Sequence, residues 1–288
     1  MKIRIRLCFV TIAAFTATAF AQAPQEKFVT IFGAKIRYVE AGDAAKPVVV
    51  LVHGLGSNGD TWLYNIPALA ANHRVIALDQ VGFGKSDKPS INYRVATYVD
   101  FLDKFMSELK IEKAALVGNS MGGWVSALYA AKYPAKVTRL MLLDAAGYAP
   151  PKDFDYRFLQ RINPSTREGT RGMIKSIFYN SAPFTTDAAI DSFMALRIAS
   201  NDGNTIQTLL RTIELGDDYF DEQVKTIKQP TLIVWGRQDG LTPPSDGERL
   251  KKDIAGSELW IVDQCGHLPH IEKAVEFNKK ALEFLAKN

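Results

Sequence analysis

Cysteine and histidine are scarce in this chain. Two cysteines, Cys8 and Cys265, and four histidines occur in 288 residues, which excludes a disulfide scaffold. No His/Cys cluster with metal-ligand spacing is evident, nor is a nucleotide fingerprint, so neither a metal nor another cofactor is expected. Charge of one sign is not in excess either: 35 basic against 31 acidic residues give a net +4, too little for a nucleic-acid footprint. Glycine (20) and proline (13) are too few for a collagen-like or low-complexity chain. At 47% hydrophobic and 23% charged, the composition is that of a globular protein with one substantial core.

The amino terminus reads as an export signal. Lys2, Arg4 and Arg6 precede an uncharged apolar run from Leu7 to Phe20, followed by small-residue sites at Ala19-Phe20-Ala21 and Ala21-Gln22-Ala23. Cleavage after Ala21 is preferred, because the second site would put Pro24 directly after the scissile bond. The expectation is an exported protein, periplasmic or secreted, with Cys265 as its one cysteine, a net charge near +1 and no stable membrane span. Its oligomeric state is left open.

The remaining chain divides by periodicity. Residues 28–32 and 35–40 read as a hairpin turning at Gly33. Runs at 47–52, 74–78, 114–117 and 140–143 are apolar on both faces, as central strands of a covered parallel sheet must be. Helical patterns occupy 93–109 and 121–133, the second stopped by Pro134. Between residues 148 and 228 no long β-branched run occurs, and the stretch reads as a helical cap. Strand patterns return at 230–235 and 259–262, with helices near 246–253 and 271–286. The expected layout is a core of residues 22–147 and 229–288, with the cap at 148–228.

Gly118-Asn119-Ser120-Met121-Gly122 follows a buried strand and opens a helix. Such a G-x-S-x-G turn lifts the serine hydroxyl clear of the backbone at a helix amino terminus. A hydroxyl needs a base to act as a nucleophile near neutral pH. His267, in the loop after the last strand, is the candidate; His53 reads as structural, and His270 as a surface or capping residue. The acid that orients the imidazole should also follow a strand. Asp239 is preferred there, with Asp144 as the alternative. Val52-His53-Gly54-Leu55-Gly56 supplies backbone donors for an oxyanion: the Leu55 N–H, or Gly56 in its place, together with Met121 N–H. Phe193, Trp124 and Phe184 are candidates for lining a substrate pocket, although Trp124 also reads as core.

The histidine-glycine loop, Asp79 to Ser86, the nucleophile turn, Gly236 to Asp239 and Gly266-His267 together resemble the α/β-hydrolase superfamily over nearly the whole mature chain. The resemblance implies an α/β fold with an eight-stranded, mostly parallel sheet, helices on both faces and a helical cap after the sixth strand. It makes Asp79 to Ser86 a structural turn. A serine in place of an aspartate argues against chemistry through an alkyl ester on a carboxylate, which leaves acyl transfer. Gly118 to Gly123 also resembles the bacterial hydrolases that split C–C bonds in ring-cleaved dienoates and bind a substrate carboxylate with a cap arginine. Phe193 falls in that slot here, with Arg197 as the gapped alternative. With the export signal, this favours an ester-cleaving serine hydrolase with a small-molecule ester substrate. The alternatives are a C–C hydrolase and, in another class, a non-catalytic receptor.

Overall fold

A computed structural model of the chain describes residues 23–287. The expected export segment, residues 1–21, lies outside the described residues.

Eight strands form one sheet: β1 (Gln25–Ile31), β2 (Ala34–Ala41), β3 (Val48–Val52), β4 (Arg74–Leu78), β5 (Ala114–Asn119), β6 (Val137–Leu143), β7 (Thr231–Gly236) and β8 (Glu258–Val262). Their spatial order is β1-β2-β4-β3-β5-β6-β7-β8. Strand β2 is antiparallel to both its neighbours, and every other pairing is parallel. Gly33, at φ +84°, closes the hairpin as its position predicts.

The helices are α1 (Ile66–Ala70), α2 (Val95–Glu108), α3 (Met121–Lys132), α4 (Arg157–Gln160), α5 (Arg167–Ile177), α6 (Asp187–Ser200), α7 (Gly203–Glu214), α8 (Pro244–Asp253), α9 (Pro269–Glu272) and α10 (Ala274–Leu285). The continuous helix expected over 271–286 is in fact two, broken at Lys273 (φ −127°, ψ 41°), which leaves helical geometry. Among the described residues, no helix is long and apolar enough to cross a membrane.

Strand β3 shows why its run has no polar alternation. Val50 and Val52 pack on one side with Phe105, Trp124 and Val125, while Val49 and Leu51 pack on the other with Trp62, Leu69 and Phe277. A strand covered on both faces needs apolar side chains at every position. Helices α4 to α7 lie between β6 and β7, where the resemblance expects a cap. Helices α5 and α6 share a small apolar cluster of Met173, Ile174 and Ile190, whereas α7 sends Ile206, Leu209 and Leu210 into the main core. The loops after β3, β5, β6, β7 and β8 all leave the carboxyl edge of the parallel strands, which is where open α/β sheets gather their reactive groups.

Candidate active site

Ser120 sits at the β5–α3 junction with φ +56° and ψ −122°, a conformation that a non-glycine residue adopts only when its surroundings hold it. They do hold it. Its N–H donates to Leu143 O at 2.9 Å, and its carbonyl accepts the N–H groups of Gly123, Trp124 and Ala146 at 2.9–3.2 Å. A side chain at Gly122 would stand 2.2 Å from Val52 O, so only glycine lets α3 begin this close to β3. Met121 opens α3, and its N–H therefore has no partner within the helix.

The His267 ring lies on the β8–α9 loop, with its Nδ1 2.7 Å from Asp239 Oδ2. The residue is 4% exposed, and its backbone N–H donates to Ile177 O at 2.7 Å. A carboxylate on Nδ1 puts the ring hydrogen there and leaves Nε2 as the basic nitrogen. Asp239 also accepts the Leu241 and Thr242 N–H groups at 2.7 and 3.2 Å and the Thr242 hydroxyl at 2.6 Å. Burial opposes its ionisation, but His267, Thr242 and Leu241 outweigh burial and hold the carboxyl below the ordinary aspartate range. The competing acid, Asp144, is fully buried and accepts the Gly236 N–H at 2.8 Å. Between the two acids, the direct hydrogen bond to His267 belongs to Asp239.

Ser120 and His267 line one cavity of about 340 Å3 together with Gly54, Leu55, Phe193 and Arg197. The two side chains thus face the same space, the serine at the start of α3 and the imidazole on the loop after β8. A Cβ on Gly54 would lie 3.1 Å from that of Ser120, so the loop after β3 runs in contact with the nucleophile turn. The loop is fixed by His53, as its structural reading requires. Nε2 of this wholly buried ring accepts the Gln80 N–H at 3.0 Å, and Nδ1 therefore donates to Gly54 O at 2.7 Å. Asp79, in the turn after β4, holds the same region by accepting from Arg37 and from the Gly59 and Lys85 N–H groups.

A second and larger cavity of about 620 Å3 also opens at Ser120; Met121, Trp124, Phe154, Tyr156 and Leu209 contribute to its mainly apolar wall. Trp124 belongs to core and wall at once: it stacks on Tyr219, with ring centroids 5.6 Å apart, and donates Nε1–H to Asp218 O at 2.8 Å. Phe184 and Phe193 instead border the smaller cavity. Placing Phe193 in the arginine slot is half the picture. Four residues on, one turn of α6 brings Arg197 into the same cavity, where its guanidinium donates to Gly56 O at 3.2 Å and pairs with buried Asp202 at 2.8 Å.

The surface reading of His270 is overturned. It is 0% exposed, its ring tilted against Trp62 with centroids 4.2 Å apart and packed against Phe277, and burial pushes its pKa down to about 3. Cys265 is inert for the same reason: burial, then the nearby Glu272 carboxylate, push its thiol up. Sequence reasoning also missed Glu272, whose carboxylate accepts the Gly266 N–H at 2.9 Å beside His267. It lies only six residues beyond Gly266, but no local motif marks the turn that brings its carboxylate back onto that N–H.

A family model described as the alpha/beta hydrolase fold matches residues 47–274. The 2-hydroxy-6-oxo-6-(2'-aminophenyl)hexa-2,4-dienoic acid hydrolase of Metapseudomonas resinovorans is 31% identical over 271 residues, covering 91% of each chain. Among solved structures, a meta-cleavage product hydrolase is 31% identical with a TM-score of 0.80, covering 90% of this chain and 97% of that one. A membrane phospholipase A is 29% identical with a TM-score of 0.81, covering 91% and 86%. With its sheet order, its Ser120 turn and a match across most of its length, the chain belongs to the α/β-hydrolase fold family.

Proposed function

We propose that this protein is a serine hydrolase that splits a carbon–carbon bond in a carboxylate-bearing, ring-cleaved dienoate. The observation that carries this reading is Arg197, a cap guanidinium in the cavity shared by Ser120 and His267. The names of its relatives support the same substrate class.

A C–C bond breaks hydrolytically only when the departing carbon can hold the electron pair. A ketonised 2-hydroxy-6-oxodienoate meets that condition, because its 2-oxo acid delocalises the pair. Ser120 Oγ bonds to the 6-carbonyl carbon as its proton passes to His267 Nε2. The Met121 and Leu55 N–H groups take the oxyanion, each such donor contributing about 2.7–4 kcal/mol. The adjacent C–C bond then breaks, the electron pair enters the dienolate, and His267 returns the proton to it. Water, activated by His267, finally cleaves the acyl group from Ser120. Arg197 holds the carboxylate end, and Phe193 and Phe184 pack the chain.

A second reading is cleavage of a carboxylic ester by the same three residues. The larger apolar cavity and the membrane phospholipase A neighbour favour it, as does the export pattern of residues 1–21. Turnover of a phenyl-substituted 2-hydroxy-6-oxodienoate, followed by loss of its visible absorbance, against short- and long-chain p-nitrophenyl esters separates the two. The expected result is a kcat/KM for the dienoate at least about tenfold above any ester, a difference of about 1.4 kcal/mol, with both activities lost in Ser120→Ala. Ester preference transfers the function to the second reading. Ligand binding without turnover by either protein makes the chain a receptor.

A further inference from the structure

Behind the His267–Asp239 pair lies a buried group that the proposed reaction does not use. Asp144 directly follows β6, with φ +44°, and is 0% exposed. Its Oδ1 accepts the Gly236 N–H at 2.8 Å, while Oδ2 is buried without a hydrogen-bond partner. One oxygen of Asp144, one oxygen of Asp239 and a ring nitrogen of His267 all lie within 4.8 Å of one another. The charged groups that act on Asp144 itself are the carboxylates of Asp239 and of Glu272 on α9, while Lys273 acts on the adjacent Cys265 thiol, which burial holds neutral.

Two adjacent carboxylates cannot both be ionised in such a place. Each uncompensated buried charge costs several kcal/mol, and the single imidazole beside the pair, that of His267, can offset one carboxylate but not two. One proton must therefore reside on the pair, and the donor counts decide where. Asp239 accepts from Leu241 N–H, Thr242 N–H, the Thr242 hydroxyl and His267, which together stabilise its anion. Asp144 accepts from Gly236 alone. Burial, then the neighbouring Asp239 charge, push the Asp144 carboxyl well above its ordinary range, in the same direction.

We propose that Asp144 is a positioning residue: a neutral carboxylic acid whose Oδ2–H donates to the Asp239 carboxylate, so that two carboxyls share one proton behind His267. The bond accounts for the orphaned oxygen and gives the Asp239 carboxylate a further fixed partner. It also sets an upper pH limit on catalysis. Once Asp144 loses its proton, a second negative charge stabilises the imidazolium and makes His267 a weaker proton donor to the leaving group. The catalytic consequence rests on the triad reading above; the shared proton does not.

Infrared spectroscopy on the whole protein tests the pair directly. At about pH 8, where ordinary carboxyls are fully ionised, wild type is expected to keep the carbonyl stretch of a protonated carboxylic acid, and Asp144→Asn to lose it. Asp239→Asn should keep the band but shift it, because its hydrogen-bond acceptor changes from an anion to an amide; this variant serves if Asp144→Asn fails to fold. In kinetics, wild type is expected to show an alkaline fall in kcat that Asp144→Asn loses, and Asp144→Leu should lower kcat/KM about tenfold. Absence of the band in wild type, its survival unchanged in Asp144→Asn, or a stoichiometric metal ion found by elemental analysis would overturn the proposal. Activity surviving in Ser120→Ala with the band intact would instead sink the triad reading and leave the pair standing.

Discussion

Glu272 accepts the Gly266 N–H at 2.9 Å and the Tyr179 N–H at 2.8 Å, so one carboxylate ties the loop bearing His267 to the segment just after α5. Burial opposes its ionisation and, despite these amides, leaves its pKa raised above the ordinary glutamate value. Removing it orphans the part-buried Gly266 donor, at a cost of about 1–3 kcal/mol. Glu272→Ala should therefore lower the unfolding free energy measured in urea by that amount and reduce kcat as His267 drifts, while Glu272→Gln, which keeps an acceptor, should recover most of both. Equal losses in the two variants would show that the charge matters, and not the acceptor.

Acid should destabilise the protein through its buried histidines. Burial lowers the pKa of His53 and lowers that of His270 from 6.5 to about 3, so both are neutral in the fold while the unfolded chain protonates them. Below about pH 6.5 the unfolded state binds more protons, and stability falls as pH falls, by up to about 1.4 kcal/mol per unit and per group. For His270 that window runs down to about pH 3. His270→Phe keeps a ring against Trp62 and Phe277, so denaturant midpoints between about pH 7 and 4.5 should vary less steeply than in wild type. Parallel curves for the two proteins would refute a neutral, buried His270.

The residues legible in the sequence are those whose local chemistry is self-contained. Ser120 is announced by flanking glycines that the turn requires, and Asp239 and His267 by their places after strands whose apolar runs could be read directly. The strands were equally readable, because burial on both faces leaves no polar alternation. What stayed hidden depends on partners far away in the chain. His270 looks like a helix-start residue until Trp62, more than 200 positions earlier, is seen packed against its ring. Phe193 and Arg197 could not be ranked from spacing, since one helical turn brings both into the same cavity. The orphaned oxygen of Asp144 exists only because β6 and β7 are neighbours in the sheet.

Gly54→Ala should separate activity from folding. The added methyl would meet Ser120 Cβ at 3.1 Å, tight but short of a hard clash, and would force the Leu55 donor away from the hydroxyl by a few tenths of an ångström. Small displacements of reacting groups cost up to about a hundredfold in rate. The expected outcome is a melting temperature within a few degrees of wild type and a kcat/KM lower by ten- to about a hundredfold. Unchanged kcat/KM would remove Leu55 from the oxyanion site.

Arg197 must be tested without mistaking a broken ion pair for a lost binding group. Its partner Asp202 has a side chain only 2% exposed, with one carboxylate oxygen lacking a partner, so truncating the arginine alone strands a buried charge. Breaking such a pair costs about 3–5 kcal/mol, and Arg197→Met should melt well below wild type. Adding Asp202→Asn removes the stranded charge, and the double variant should recover most of the melting temperature. If Arg197 binds the substrate carboxylate, that recovery will not extend to the dienoate, whose KM should stay raised about tenfold or more, whereas KM for an uncharged ester should return to the wild-type value. Restoration of both would reduce Arg197 to a tie between α6 and the Gly56 loop and move the weight to ester cleavage, because the site would then hold no cation committed to a carboxylate.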